Sequence, residues 1–580
     1  MNIPPRSTVP IQLFALSLLG QVLFQPPACA AEAGSFDVNI QVDASRPVGK
    51  LAPIWRFFGY DEANYTYMKD GKKLLSGLGQ LGGPQVYIRC HHLLTSGDGA
   101  YALKWSSTSA YKEDANGNAV YDWTINDRIF DAYLERGLKP YAQLGFMPEA
   151  LSSNPENYPH NVPVGEMPGK GKAGYNQPPK DYAKWGDLAY QWVKHCVERY
   201  GVAEVNQWYW EVWNEPDLPQ YWKGTTEEYC KLYDYAVYGI RRALPTARVG
   251  GPEVSGGTGK GLLKEFLNHC AYGTNYVTGE KGAPLDFVSF HAKGSPKFVD
   301  GHVRMGMSNQ LNNINNAFSV INEFPEYKNI PVVIGESDPE GMAARKGPQN
   351  GYRNSTMFSS YTAASFARKY ELADKHQTNL EGAITWSFEF EDQPYFAGFR
   401  VIATNGIDLP VLNVFRMFAK MSGQRIAVES SSGLNEEKIR ISNVRGAPDV
   451  SALATLDGNK LAVLLWHYHD DDVSGPDAAI QLALHGLPVS SSLIKTTQYR
   501  IDAEHSNAFE VWKKMGSPEN PTLEQYGQLE KAGQLAAMEN PKIVDAGRGQ
   551  SVVQLTLPRQ GVSLLVLEWN PERTSAQTHH

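Results

Sequence analysis

Between about residue 50 and residue 390 the chain repeats one unit, a short apolar run of strand character followed by a longer segment with helical spacing. The runs are Ile54 to Gly59, Gln85 to His91, Pro140 to Phe146, Trp208 to Asn214, Arg248 to Val254, Leu285 to His291, Pro331 to Glu336 and Gly382 to Glu389. Helical segments between them include Ile125 to Gly137, Tyr182 to Tyr200, Thr226 to Leu244, Gly259 to His269 and Phe358 to Lys375. Parallel strands need crossovers of this kind, and helices laid outside explain how both faces of a strand can be apolar. The pattern predicts an α/β fold, a (β/α)8 barrel over residues 51–420.

Past residue 421 the pattern becomes one of strands and turns, with Lys438 to Ser442, Ser451 to Leu456, Lys460 to His467, Ala479 to Leu484, Gln498 to Ile501, Val552 to Leu557 and Val562 to Trp569. This predicts an accessory antiparallel β-sandwich over residues 421–580, with a helix and loop within Ser517 to Met538. The alternating stretch Phe36 to Val42, in residues 31–50, is expected to join it. Two long segments, Ser153 to Lys180 and Gly294 to Leu311, are expected as loops at the carboxyl-end rim of the barrel.

The first thirty residues differ in kind: Arg6 precedes an apolar run from Ile11 to Phe24, then come Pro26, Pro27 and the small residues Ala28 to Ala31. This reads as a signal peptide over residues 1–30, and the expected product is secreted or periplasmic. The prolines disfavour a lipid anchor on Cys29. A net charge of −8 without a dense basic tract argues against nucleic acid and anionic membranes as partners, and no later run has the length of a membrane span. Cys90, Cys196, Cys230 and Cys270 match no compact zinc pattern, and the sequence leaves open whether two of them form a bridge. Oligomeric state is likewise open.

Two words carry the chemistry. Trp210-Glu-Val-Trp-Asn-Glu-Pro216 and Val332-Val-Ile-Gly-Glu336 each place a carboxylate at the carboxyl end of an apolar strand, the catalytic face of a barrel. Hydrolysis of a glycosidic bond needs one group to protonate the departing oxygen and another to meet the positive charge developing on the sugar. Glu215, surrounded in sequence by Trp208, Trp210, Trp213 and Pro216, is the candidate acid, because desolvation favours the protonated form. Glu336 is the candidate nucleophile. This chemistry requires no cofactor and no metal, and His91-His92 lacks the helical spacing of a zinc protease.

The chain resembles glycoside hydrolase family 39, a family of retaining barrel enzymes. The likeness runs over about residues 45–570. It is carried by Trp213-Asn-Glu-Pro216, Tyr87-Ile-Arg-Cys-His-His92, Leu144-Gly-Phe-Met-Pro-Glu-Ala150 and Asp286-Phe-Val-Ser-Phe-His291. Ser506-Asn-Ala-Phe509 and Trp512-Lys-Lys-Met-Gly-Ser-Pro518 extend it into the accessory domain. The resemblance implies Glu215 as acid/base and Glu336 as nucleophile. Around them, Asn214 is a candidate for the sugar 2-hydroxyl, His91 and His291 for the sugar or a carboxylate, and Arg89 for holding Glu336 charged. Trp386 is a candidate stacking platform, and Glu389, Glu391 and Phe146, with Glu149 behind them, are candidate pocket residues.

The resemblance points first to an exo-acting β-xylosidase taking an oligosaccharide or glycoside. His291-Ala-Lys-Gly294 and Glu336-Ser-Asp-Pro339 resemble the iduronidase branch, in which Lys293 would attract a uronate carboxylate. An enzyme for α-L-iduronides or arabinose-containing glycans is therefore the alternative. A non-catalytic carbohydrate-binding protein is a third reading, disfavoured by the intact glutamate pair.

Overall fold

The computed structural model describes residues 34–569 except 84, 161, 163–167, 169–172, 489–492, 539–541 and 546. The expected leader and Cys29 lie outside the described residues, as does part of the Ser153 to Lys180 segment.

Eight parallel strands close a barrel: β1 Phe57–Tyr60, β2 Tyr87–Cys90, β3 Lys139–Leu144, β4 Tyr209–Val212, β5 Arg248–Val254, β6 Phe287–His291, β7 Val332–Glu336, and β8, which is split into Leu380–Ala383 and Thr385–Trp386. Each strand pairs with its sequence neighbour. The first half of β8 pairs with β7, and its second half closes on β1 through Thr385 opposite Phe58 and Trp386 opposite Gly59. All eight expected strands are present, with ends displaced by up to three residues.

The two-residue period of a strand sorts the inward side chains into layers. The lowest is an aromatic plug of Phe57, Tyr87, Tyr141, Tyr209 and Phe287, with rings stacked or edge-on at 4.8–5.9 Å. Two residues further along each strand come Arg89, Glu211 and Ser289, all fully buried. Two further still stand His91 and His291, at the rim. The apolar plug thus excludes water from beneath a polar floor, and the floor carries the rim residues.

The accessory domain is one nine-stranded sheet curled over a core that includes Val38, Ile40, Leu465, Leu482 and Leu565. Its first strand, Ser35–Lys50, lies between Gln424–Ser430 and Asp477–His485. The sheet is not wholly antiparallel, because Ser35–Lys50 runs parallel to Asp477–His485. Two expectations are corrected. Glu436–Ser442 is a helix, not a strand, and the Asn435 side chain caps it by accepting from Lys438 N. Gly294 to Leu311 is not a plain loop: it holds the hairpin Lys297–Val299/His302–Arg304, and Met307 starts a helix reaching Ile321.

The helix Thr356–His376, between β7 and β8, is buried nearly all round because the accessory sheet covers its outer side. Across that junction Arg368 Nη2 reaches Asp449 at 2.7 Å, and Trp466 Nε1 donates to the same carboxylate at 2.9 Å. Cys90, Cys196, Cys230 and Cys270 are buried free thiols. Among the described residues, no helix is long and apolar enough to cross a membrane.

Candidate active site

Glu215 leaves β4 on a sharp turn in which Trp213 and Glu215 both take positive φ, 72° and 44°. Non-glycine residues seldom occupy that region, so the turn is held from outside: Glu215 N donates to Glu253 O at 2.9 Å. The turn places the Glu215 carboxylate 3.0 Å from His291 Nδ1. Glu336 ends β7, and its Oε1 lies 3.8 Å from His291 Nε2 and 3.7 Å from Arg89 Nη1. Lys293 Nζ sits 2.7 Å from Glu336 Oε2. The structure therefore brings the two glutamates to one place, with His291 between them.

The charges there are matched. Burial alone would raise the Glu336 carboxyl, yet His291, Lys293 and Arg89 hold it well below the usual carboxylate range. His291 goes the other way: burial disfavours its charge, but Glu336, Glu253 and the bond to Glu215 push it up to about 10, so the ring is an imidazolium. His91 is neutral, driven down to about 3 by burial and by Arg89. Its Nδ1–H then donates to Asp61 Oδ1 at 2.7 Å, and its Nε2 accepts from Arg89 Nη1 at 3.1 Å. Arg89 also donates to Glu211 at 2.6 Å and to Asn214 Oδ1 at 3.0 Å.

Trp386 is 2% exposed. Its ring lies 4.3 Å from that of His91, its Nε1 donates to Asp61 Oδ2 at 3.2 Å, and the Arg89 guanidinium sits 5.0 Å from its centroid. Gly59 makes room for it, because a Cβ there would stand 2.4 Å from the indole. Phe146 is a buried prop, stacked on Tyr221 at 5.6 Å and edge-on to Trp213 at 5.5 Å.

Several expectations are corrected. Trp208 and Trp210 do not enclose Glu215; strand alternation turns them outward onto Phe130 and Trp192 in the helical layer. Glu391 faces the start of the helix Lys69–Gly79, where it accepts from Asp70 N and Gly71 N. Glu389 accepts from Gly406 N on the turn of the Ala403–Asp408 hairpin, at 2.5 Å. Neither is among the groups around Glu215 and Glu336. Glu149 pairs with His160 at 2.9 Å.

Other members of the site went unread in the sequence: Asp61, Lys104, Glu211, Glu253, Asp338 and Arg400. Asp61 joins His91, Lys104 and Trp386. Asp338 receives Lys293 Nζ at 2.5 Å and Trp386 N at 2.9 Å, with Arg400 Nη2 at 3.5 Å. A carboxylate in an otherwise apolar strand, as in Pro252-Glu-Val254, was the available signal for Glu253.

A paired carboxylate site at the carboxyl end of a barrel is suited to glycosyl transfer to water. The family model for glycosyl hydrolases family 39 matches residues 38–550. The chain belongs to this family. Family 39 membership supports a glycoside hydrolase that works with retention. A beta-xylosidase from Geobacillus stearothermophilus is 27% identical over 498 residues, covering 84% of this chain and 87% of its own. An alpha-L-iduronidase from Mus musculus is 26% identical over 572 residues, covering 93% and 82%. In fold, the chain is similar to a monomeric beta-xylosidase from Caulobacter crescentus CB15, with a TM-score of 0.70 and 23% identity over 91% of this chain and 99% of the other. A bacterial orthologue of human α-L-iduronidase gives a TM-score of 0.71 and 21% identity, over 93% and 84%. The relatives thus include both β-xylosidases and α-L-iduronidases.

Proposed function

We propose that the protein is an exo-acting β-xylosidase that releases terminal xylose from xylo-oligosaccharides by double displacement. Glu336 attacks the anomeric carbon while Glu215 protonates the departing oxygen, leaving a glycosyl ester on Glu336. Glu215, now a carboxylate, takes a proton from water, which attacks the same carbon and frees Glu336. Asn214, its oxygen fixed by Arg89, presents its amide hydrogens to the sugar 2-hydroxyl. His91 and Trp386 shape the floor beneath the ring.

The observation that carries the choice of a neutral sugar is the matching of cations around Glu336. Lys293 is held by Glu336 and Asp338, Arg400 by Asp338 and Glu340, Lys104 by Asp61, and Arg89 by Glu211. A uronate would have to displace one of these carboxylates. The second reading, an α-L-iduronidase, is favoured by the position of Lys293 beside Glu336 and by the iduronidases among the relatives. The apolar leader supports an exported enzyme, which N-terminal sequencing of the mature chain tests.

The experiment is initial-rate release from aryl β-xyloside, β-glucoside, α-arabinofuranoside and α-iduronide by the wild type, E215A and E336A. Dominant xyloside turnover, lost in both variants, is expected. Dominant iduronide turnover selects the second reading, and turnover indifferent to both variants overturns the assignment of the pair.

A further inference from the structure

Glu253 is out of register. Along β5 and β6, Gly250, Gly251 and Pro252 face Phe287, Val288 and Ser289, but the next pair is Val254 with Phe290, so Glu253 is an extra residue in its strand. It takes φ 53°. Such bulges re-aim a side chain, and this one sends a carboxylate into the barrel, where it is 0% exposed. Its Oε2 lies 3.0 Å from His291 Nε2, and its Oε1 lies 3.6 Å from Arg89 Nε. Neither oxygen has a well-aligned hydrogen bond from those groups, so both contacts are electrostatic rather than directional. Gly335, immediately before Glu336, leaves the space: a Cβ there would stand 1.8 Å from Glu253 Oε1.

A buried carboxylate without an aligned hydrogen bond is expensive, and a strained bulge adds to the cost. The surroundings give the reason for keeping both. Burial and Glu253 raise the Glu211 carboxyl in spite of Arg89, while Glu211 accepts from Arg89 Nε at 2.6 Å, Tyr141 Oη at 2.8 Å and Ser289 Oγ at 3.0 Å. The Glu253 carboxyl goes the other way: burial would raise it, but Arg89, Glu211 and His291 hold it down to about 2. His291 is faced by Glu215 from the turn after β4, Glu253 from β5 and Glu336 from β7, with Arg89 on β2 and His91 just past its end beyond them.

We propose that Glu253 is a positioning residue for the reaction: a carboxylate borne on a bulge that keeps His291 charged and seated between Glu215 and Glu336. Glu253 touches no substrate. Through His291 it sets the field felt by both glutamates, and so the pH range in which one is protonated while the other is ionised. This inference rests on the roles proposed above for Glu215 and Glu336.

The test is the pH profile of kcat/KM for Glu253→Gln, alone and in a His291→Gln background. Loss of Glu253 lets His291 shed its proton in the working range. Both glutamates then lose the cation beside them, and both limbs of the profile move to higher pH, by about one pH unit. Glu253→Asp, which keeps the charge, moves them less, and in His291→Gln the upward move disappears. A carboxylate acting only as a distant negative charge gives the opposite sign: its removal moves both limbs down. A profile that moves down, or not at all, overturns the proposal.

The unsubstituted enzyme gives a second measurement. With 15N-labelled histidine, the ring signal missing in His291→Gln must report an imidazolium at neutral pH. A neutral ring overturns the proposal without any Glu253 variant. Should E215A and E336A keep their activity, the reading of the pair fails; should they lose it while Glu253→Gln leaves the profile in place, only the role of Glu253 fails.

Discussion

Lys293 Nζ lies 2.7 Å from Glu336 and 2.5 Å from Asp338, so one ammonium is shared between the residue proposed as nucleophile and a buried carboxylate two residues on. With His291, it holds Glu336 ionised well below its ordinary range. Lys293→Met removes that help, and the Glu336 carboxyl rises. The acid limb of kcat/KM, which falls as Glu336 takes up a proton, moves to higher pH by about one pH unit. The pH profile on an aryl xyloside checks this, and a limb that stays in place counts against it.

Glu215 as the acid makes a prediction about leaving groups. Loss of a general acid slows a reaction by about 10²–10⁴-fold when the leaving oxygen needs the proton. E215A is expected to fall in that range on xylobiose and to lose far less in the first step on a nitrophenyl xyloside, whose leaving group departs as an anion. Equal losses on both, measured under single turnover, would remove Glu215 from that role.

Gly59→Ala probes the floor. Its Cβ would stand 2.4 Å from the Trp386 indole, which has no free direction among Arg89, His91 and Asp61. Overpacking of this kind costs about 1–3 kcal/mol, so a lower melting temperature is expected, together with a raised KM. An unchanged KM would show that Trp386 does not contribute to sugar binding.

Asp449→Ala tests the junction between barrel and sheet. It leaves the Trp466 Nε1 without its acceptor and takes Asp449 from the buried Arg368 guanidinium, which keeps only Glu371. Breaking a buried pair from one side destabilises by about 3–5 kcal/mol. Denaturant unfolding should show a loss of that order, and a loss below about 1 kcal/mol would assign the junction to packing alone.

Glu389 gives a stability prediction with a definite sign. Burial, reinforced by Asp70, raises its carboxyl to about 8 despite the bond from Gly406 N, against an ordinary value of 4.5. The folded chain therefore binds the proton more tightly than the unfolded chain. The resulting stability is present at low pH and is lost as pH rises from about 4.5 through about 8. Glu389→Gln removes this dependence, so melting temperatures of variant and wild type should diverge in the variant's favour above neutral pH. Parallel curves would show that Glu389 is ionised throughout.

The barrel was legible because its information is local. Each apolar run stands alone in the sequence, and Glu215 and Glu336 sit where those runs end. What escaped is settled by side-chain direction and by contacts distant in sequence. Glu389 and Glu391 follow β8 but reach the Ala403–Asp408 hairpin and the helix Lys69–Gly79, and no spacing rule states which way a chain turns after a strand. Lys438 to Ser442 has a strand-like run, yet Asn435 caps it as a helix. Asp61 and Lys104 meet across 43 residues, and Glu253 depends on a bulge, which a two-residue period cannot reveal.

The strand Ser35–Lys50 sits inside a sheet whose other members all come after residue 423. On the ribosome it emerges first, and its neighbours Gln424–Ser430 and Asp477–His485 emerge only after the whole barrel has been made. During synthesis its alternating Val38, Ile40 and Val42 stay without their sheet partners until those strands are made. The same topology ties the strand before the barrel to the strands after it like a drawstring. The barrel cannot be cut out as a free-standing catalyst without pulling this knot open.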